Sequence, residues 1–166
     1  MRAPSFPKNE AERIQVLRDI LILDTPPEDR FDHITAYCQS RFGTEIVLIT
    51  LVDAERQWFK SAMGLQTKET PRDISFCGHA ILQDEVMIVS DATRDERFAD
   101  NPLVTGPPYI HFYAGAPLKL ASGYTVGTLC LIDSKPKHLE PEEIEHLKVL
   151  AKMVAIELET PPGREE

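Results

Sequence analysis

What this sequence lacks narrows its roles before any motif is read. No apolar stretch approaches the roughly 20 residues that span a bilayer, and Met1 to Lys8 holds no apolar signal-peptide core, so no membrane partner is expected. Positive charge is scarce. Lys and Arg number 18 against 27 Asp and Glu, a net charge of -9, and the basic residues are scattered singly. Binding to phosphate backbones needs a concentrated basic surface, so a nucleic-acid partner is excluded. The three cysteines, Cys38, Cys77 and Cys130, are odd in number and far apart, which fits free thiols in a reducing compartment and not a disulfide framework. A cytoplasmic location is expected. Repeats, low-complexity tracts and dividing linkers are also missing, so residues 1–166 read as a single domain with a core over about 10–159 and a flexible tail over 160–166.

What is present has a clear order. Ile14, Leu17 and Leu21 fall at helical spacing, flanked by Val16, Ile20 and Leu23, after a capping pattern at Asn9 and Glu12. Thr25-Pro26-Pro27-Glu28 reads as a second capping box, with Phe31, Ile34, Cys38 and Phe42 as the apolar face and Gly43 as the stop. The run from Ile46 to Val52 is almost wholly apolar and β-branched, the mark of a central strand covered on both faces. A partner strand follows from Gln57 to Ala62. The stretch from Gly64 to Ile74 is expected to be loop, because Pro71 opposes regular structure. Phe76 to Leu82 reads as a short helix and Val86 to Val89 as a short strand, before a polar connection over Asp91 to Pro108. A hairpin over Ile110 to Leu120 and Tyr124 to Ile132 turns at Ser122-Gly123, and a last helix runs from about Pro141 to Glu159. The result is an α+β fold with an antiparallel sheet of about five to six strands.

Several ordered segments carry a family resemblance. They are Leu23-Asp24-Thr25-Pro26-Pro27-Glu28, Gln57-Trp58-Phe59-Lys60-Ser61, Ser75-Phe76-Cys77-Gly78-His79-Ala80-Ile81, Arg97-Phe98-Ala99-Asp100-Asn101-Pro102, Phe112-Tyr113-Ala114-Gly115-Ala116-Pro117-Leu118 and Gly127-Thr128-Leu129-Cys130-Leu131-Ile132-Asp133. Together they resemble bacterial sensor-type GAF domains. The resemblance implies terminal helices on one sheet face and, on the other, short helices and loops enclosing a ligand pocket. It also implies an association with histidine kinase, diguanylate cyclase or PAS effector modules. The Asn-Lys-Phe-Asp-Glu signature of cyclic-nucleotide-binding members is missing, and Gly78 separates Cys77 from His79 where bilin-binding members place them side by side. Cyclic GMP and a covalent bilin are therefore both disfavoured, and the cofactor stays unknown.

Candidate site residues follow. Cys77 and His79 would be a thiol–imidazole pair or two soft metal ligands, but no second Cys/His pair stands at zinc-like spacing. Packing of Cys77 and backbone bonding of His79 is the favoured account, with no metal. Phe76, Arg97, Phe98, Asn101 and the Pro107-Pro108-Tyr109 stretch form the expected pocket wall. Arg97 either meets an anionic ligand or pairs with Asp95 or Asp100. Phe112 and Ala114 share a strand face opposite Tyr113, and the small Gly115 and Ala116 leave space for a ligand or for close packing.

Ile144, Leu147, Ala151, Val154 and Leu158 form an a/d seam on the last helix. With Ile14, Leu17 and Leu21 of the first helix, it is expected to form a homodimer bundle. Three functions compete: a non-catalytic regulatory module binding an unidentified small molecule or sensing redox state, a thiol enzyme resembling free methionine-R-sulfoxide reductases with Cys77 as nucleophile, and a ligand-free dimerisation spacer. Pro161 and Pro162 stop the last helix, so either output goes through surface contacts, or the chain is a stand-alone regulator, or the sequence is a piece of a longer protein.

Overall fold

The structure, a computed structural model, describes residues 1–162, so the expected tail falls partly outside the described residues. Six strands form one antiparallel sheet: β1 (Ile46–Val52), β2 (Arg56–Met63), β3 (Glu69–Pro71), β4 (Met87–Val89), β5 (Phe112–Lys119) and β6 (Thr125–Asp133). Their spatial order is β3-β2-β1-β6-β5-β4. The long helices α1 (Glu10–Asp19), α2 (Asp29–Phe42) and α5 (Pro141–Leu158) cover one face. The short helices α3 (Phe76–Ala80) and α4 (Pro102–Thr105) lie with the connecting loops on the other. The α+β expectation holds, with six strands.

Alternation along the strands sorts residues between two apolar layers. Val47, Ile49 and Leu51 of β1 join Phe112, Ala114, Ala116 and Leu118 of β5 beneath the long helices. Leu48 and Val52 join Tyr113, Cys130 and Ile132 on the opposite side. A bulge breaks the alternation once. Ile49 pairs with Ser61 but Thr50 pairs with Phe59, which leaves Lys60 as the extra residue. Lys60 Nζ reaches Glu28 at 2.8 Å, Thr25 Oγ1 at 2.7 Å and the Pro26 carbonyl at 2.6 Å. Ser61 donates to Asp32 at 2.6 Å and accepts from the Thr35 hydroxyl at 2.8 Å. Both therefore tie β2 to the start of α2.

Several local expectations change for identifiable reasons. Asn9 precedes α1 without a side-chain cap, while Glu10 is taken by Arg13 at 2.9 Å and by Arg72 at 2.5 Å. The helix ends at Asp19, and Leu21 and Asp24 take positive φ values of 55° and 62°. Thr25 and Glu28 do not form a capping box, because Lys60 recruits both side chains and Thr25 donates to the Ile22 carbonyl. Pro71 sits in β3 opposite Arg56, on a sheet edge where its missing N–H breaks no ladder. Gly43 stops α2 at φ 67°, as its lack of a Cβ permits.

The expected dimer seam is also corrected. Leu147, Ala151, Val154 and Leu158 are buried in the domain's own core, with Ile144 packed against it, and Leu17 is buried there too. Ile14 is half-buried, and Leu21 lies beyond α1 at 80% exposure. The α5 seam and Leu17 are consumed by the domain's own core. The exposed apolar residues of α5 are Val149, Met153 and Ile156, on another face. In urea unfolding, Leu147→Ala is expected to cost about 2–5 kcal/mol by opening a cavity. Val149→Ala should change stability by no more than about 0.5 kcal/mol.

Candidate functional site

The layer opposite the long helices is mostly filled. Ser75 Oγ caps α3 by accepting from Gly78 N–H at 3.0 Å, and the chain then buries Phe76, Cys77 and His79 in succession. Phe76 stacks on Phe98 with ring centroids 4.0 Å apart and lies 5.1 Å from the Tyr113 ring. His79 meets the Phe98 edge at 5.0 Å, and its Nε2–H donates to the Arg2 carbonyl at 2.9 Å. Burial lowers the His79 pKa, favouring the neutral ring. The N-terminal segment is strapped over this cluster: Arg2 N–H donates to Arg97 O at 3.0 Å, and a Cβ at Gly78 would stand 2.6 Å from Pro4 Cγ.

Arg97 is committed to Asp95, at 2.9 Å and 3.1 Å, and its guanidinium lies 5.0 Å above the Phe98 ring. Asp100 pairs instead with the terminal amine of Met1. Arg97 thus orders the loop. Asn101 is a structural cap: its Oδ1 accepts from Leu103 N–H at 2.8 Å and its Nδ2 donates to Ile74 O at 3.0 Å. Tyr109 is exposed at a positive φ of 59°. Phe112 and Ala114 belong to the layer under the long helices, so alternation carries them away from the pocket side, and Tyr113 faces it. Gly115 makes room for that ring, since an added Cβ would stand 2.7 Å from Tyr113 Cε1.

The open space lies nearer the β2 edge. A chamber of about 150 Å³ is lined by Leu48, Gln57, Phe59, Leu65, Thr67, Thr70, Leu103, Pro107, Pro108, Ile110 and Ile132. None of the nine pocket residues expected from sequence lines it, although the adjoining Pro107-Pro108 pair does. Gln57 is its distinctive member. The residue is 5% exposed; its Nε2 donates to Thr70 Oγ1 at 2.6 Å, and its buried Oε1 has no partner. Such an orphan acceptor costs about 1–3 kcal/mol. The sequence did carry a signal. Gln57 shares a strand face with Phe59, and an amide facing a buried layer calls for a partner. A larger cleft of about 610 Å³ lies where the α1–α2 connection meets the end of α5, outside the sheet's shielded face.

A separate polar knot lies beneath α3. Tyr113 Oη donates to Cys77 Sγ at 3.2 Å, Thr128 Oγ1 donates to the same sulfur at 3.1 Å, and Thr50 and Thr128 hydroxyls meet at 3.0 Å. Burial opposes ionisation of Cys77, yet hydrogen bonds from Cys130, Thr128, Thr50 and Tyr113 outweigh it and bring the thiol down to about 7. Burial pushes Cys130 up, reinforced by its neighbour Cys77, and burial alone pushes Cys38 up to about 12. Among the described residues no group of three or more His, Cys, Asp or Glu is arranged to hold a metal. No described helix is long and apolar enough to cross a membrane.

A doubly covered antiparallel sheet with a small side chamber defines an α+β fold. The GAF domain family model matches residues 26–158, and the chain belongs to that family. A cyclic di-GMP phosphodiesterase of Pseudomonas aeruginosa is 41% identical over 161 residues, covering 96% of this chain but 27% of that protein. The chain therefore spans about a quarter of the length of that relative. Among solved structures, the GAF domain of an Acinetobacter phosphoenolpyruvate-protein phosphotransferase superposes with a TM-score of 0.65 at 16% identity, covering 89% of this chain and 92% of that one. Free methionine-R-sulfoxide reductase from Neisseria meningitidis gives a TM-score of 0.63 at 19% identity, covering 96% and 98%. At these identities the structural likeness establishes the fold alone.

The thiol knot makes a pH prediction. Cys77 is depressed in the folded chain to about 7 from the ordinary 9.0, so its ionisation adds stability that is complete above about 9 and is lost as pH falls through about 7. Thiolate absorbance should rise near pH 7 in the wild type and disappear in Cys77→Ala. Tyr113→Phe, which removes a donor, should shift that rise to higher pH.

Proposed function

We propose that this chain is a non-catalytic, cytoplasmic sensory module that binds a small molecule and regulates an effector domain. The observation that carries this reading is the chamber at the β2 edge, whose lining offers no thiol, imidazole or ionised group. Such a lining suits recognition, since it holds no thiol, imidazole or ionised group that could activate the Thr67 or Thr70 hydroxyl as a nucleophile. The alternative thiol-enzyme reading would need Cys77 in the pocket, and Cys77 is instead packed beneath α3 against Tyr113 and Thr128. The effector we favour is an enzyme of cyclic di-GMP turnover, supported by the 41% identity to part of a cyclic di-GMP phosphodiesterase. Histidine kinase, diguanylate cyclase and PAS partners belong to the same proposal.

A route for output accompanies the chamber. β2 carries Gln57 and Phe59 in the chamber wall, and its bulge residue Lys60 holds Glu28. Glu28 in turn holds Arg30 at 2.9 Å, and Arg30 Nη1 donates to Glu157 O at 2.8 Å and Thr160 O at 2.7 Å at the end of α5. A ligand that favours one position of β2 would shift this chain only by its differential affinity for the two positions. Homodimerisation would use the exposed Val149, Met153 and Ile156 ridge in place of the buried seam.

A metabolite-library thermal-shift screen with native mass spectrometry is expected to find a stabilising one-to-one ligand; a broad library with none would defeat the binding reading. With that ligand, hydrogen exchange at residues 157–160 should change in the wild type, and Lys60→Met should keep binding while losing the distant change. In sedimentation, Met153→Glu should weaken a concentration-dependent dimer; an unaltered dimer removes the ridge as its interface.

A further inference from the structure

The chamber's chemistry narrows what it accepts. Its volume of about 150 Å³ is far below that of a nucleotide, and equals that of an engineered protein cavity known to take benzene. No charged side chain lines it, so a charged ligand would be desolvated without a partner. Leu48, Phe59, Leu65, Ile110 and the Pro107-Pro108 rings make the lining chiefly apolar. Against that background one buried side-chain polar atom lacks a partner: Gln57 Oε1, held in place because the other end of the same amide is bonded to Thr70. A carbonyl oxygen can only accept, so its complement is a hydrogen-bond donor.

We propose that this chamber binds a small, neutral, aromatic molecule that donates one N–H or O–H hydrogen bond to Gln57 Oε1, with its ring against Phe59 and the proline wall. This rests on the reading of the domain as a small-molecule sensor and names the ligand's chemical class. The size corresponds to roughly six to nine non-hydrogen atoms, the scale of a phenol or an indole. Oε1 has almost no accessible surface, so the donor reaches it only as the surrounding side chains yield slightly. The Gln57 amide selects for the donor, and the apolar walls select for the ring.

Titration of the full chain with phenol, toluene, anisole and benzoate, followed by amide chemical shifts, tests the assignment. Phenol should bind about tenfold more tightly than toluene, the effect of one recovered hydrogen bond, with shifts centred on Gln57, Phe59 and Ile110. Anisole, which can only accept, should gain nothing over toluene, and benzoate should not bind. Gln57→Leu should abolish the phenol preference while toluene still binds. Leu65→Trp, at a half-buried loop position, should fill the space and weaken phenol and toluene alike with Gln57 intact. Equal binding of phenol and toluene, a preference for anisole, or a phenol preference that survives Gln57→Leu would each overturn the proposal. If no neutral probe binds while the metabolite screen yields a ligand, the class is wrong and the sensory reading stands; if neither yields binding, both fall.

Discussion

The central sheet of this domain is shielded on both faces, and that constraint governs everything built around it. β1 is buried at all seven positions, flanked by β2 and β6, which also satisfy its backbone. With no solvent face available, each residue of β1 is assigned to one of two interiors. One interior is closed by three long helices. The other is closed by short helices and loops, which cannot seal so large a surface as evenly. The residual space gathers at the β2 edge, under the α4 loop, where long-helix packing does not reach.

Within that scheme the polar groups buried beside the sheet fall into distinct kinds. Some are fully partnered, such as Ser61 with Asp32 and Thr35, and they fix the docking of a helix. The Cys77 knot shares its hydrogens among hydroxyls and sulfurs under a five-residue helix, so it fastens α3 to β5 and β6. Gln57 is half-satisfied, as are Arg30 and Arg72, but of the three it alone lines the chamber. A fold that pairs Thr35, Thr50 and Thr128 could as readily have placed a partner for that oxygen. The contrast gives the β2 edge its claim to function.

Much of this architecture was legible in the sequence where the information is local. The β-branched run of β1, the glycine after α2 and the proline opening α5 each act through their own backbone, and each falls where expected. Distant partners were not legible. The Thr25–Glu28 capping box fails because Lys60, more than thirty residues away, offers both side chains a stronger charge-assisted partner. The seam of Leu147, Ala151, Val154 and Leu158 was correctly periodic, but periodicity reports burial and not the identity of the covering surface. Likewise, alternation separates Phe112 from Tyr113 without saying which one the long helices will cover. The α+β fold follows from patterns along the chain, and the chamber from where the layers meet.

The Arg30 contact with the end of α5 has a practical consequence. A helix terminus left to itself points along its axis, but here one guanidinium from α2 holds the Glu157 and Thr160 carbonyls while Pro161 prevents another turn. The last carbonyls of the helix are therefore held by a residue far earlier in the chain. In a chimera joined at this point, a helix continued from α5 would have to do without the backbone N–H of Pro161 and would displace the Arg30 contact with the Thr160 carbonyl.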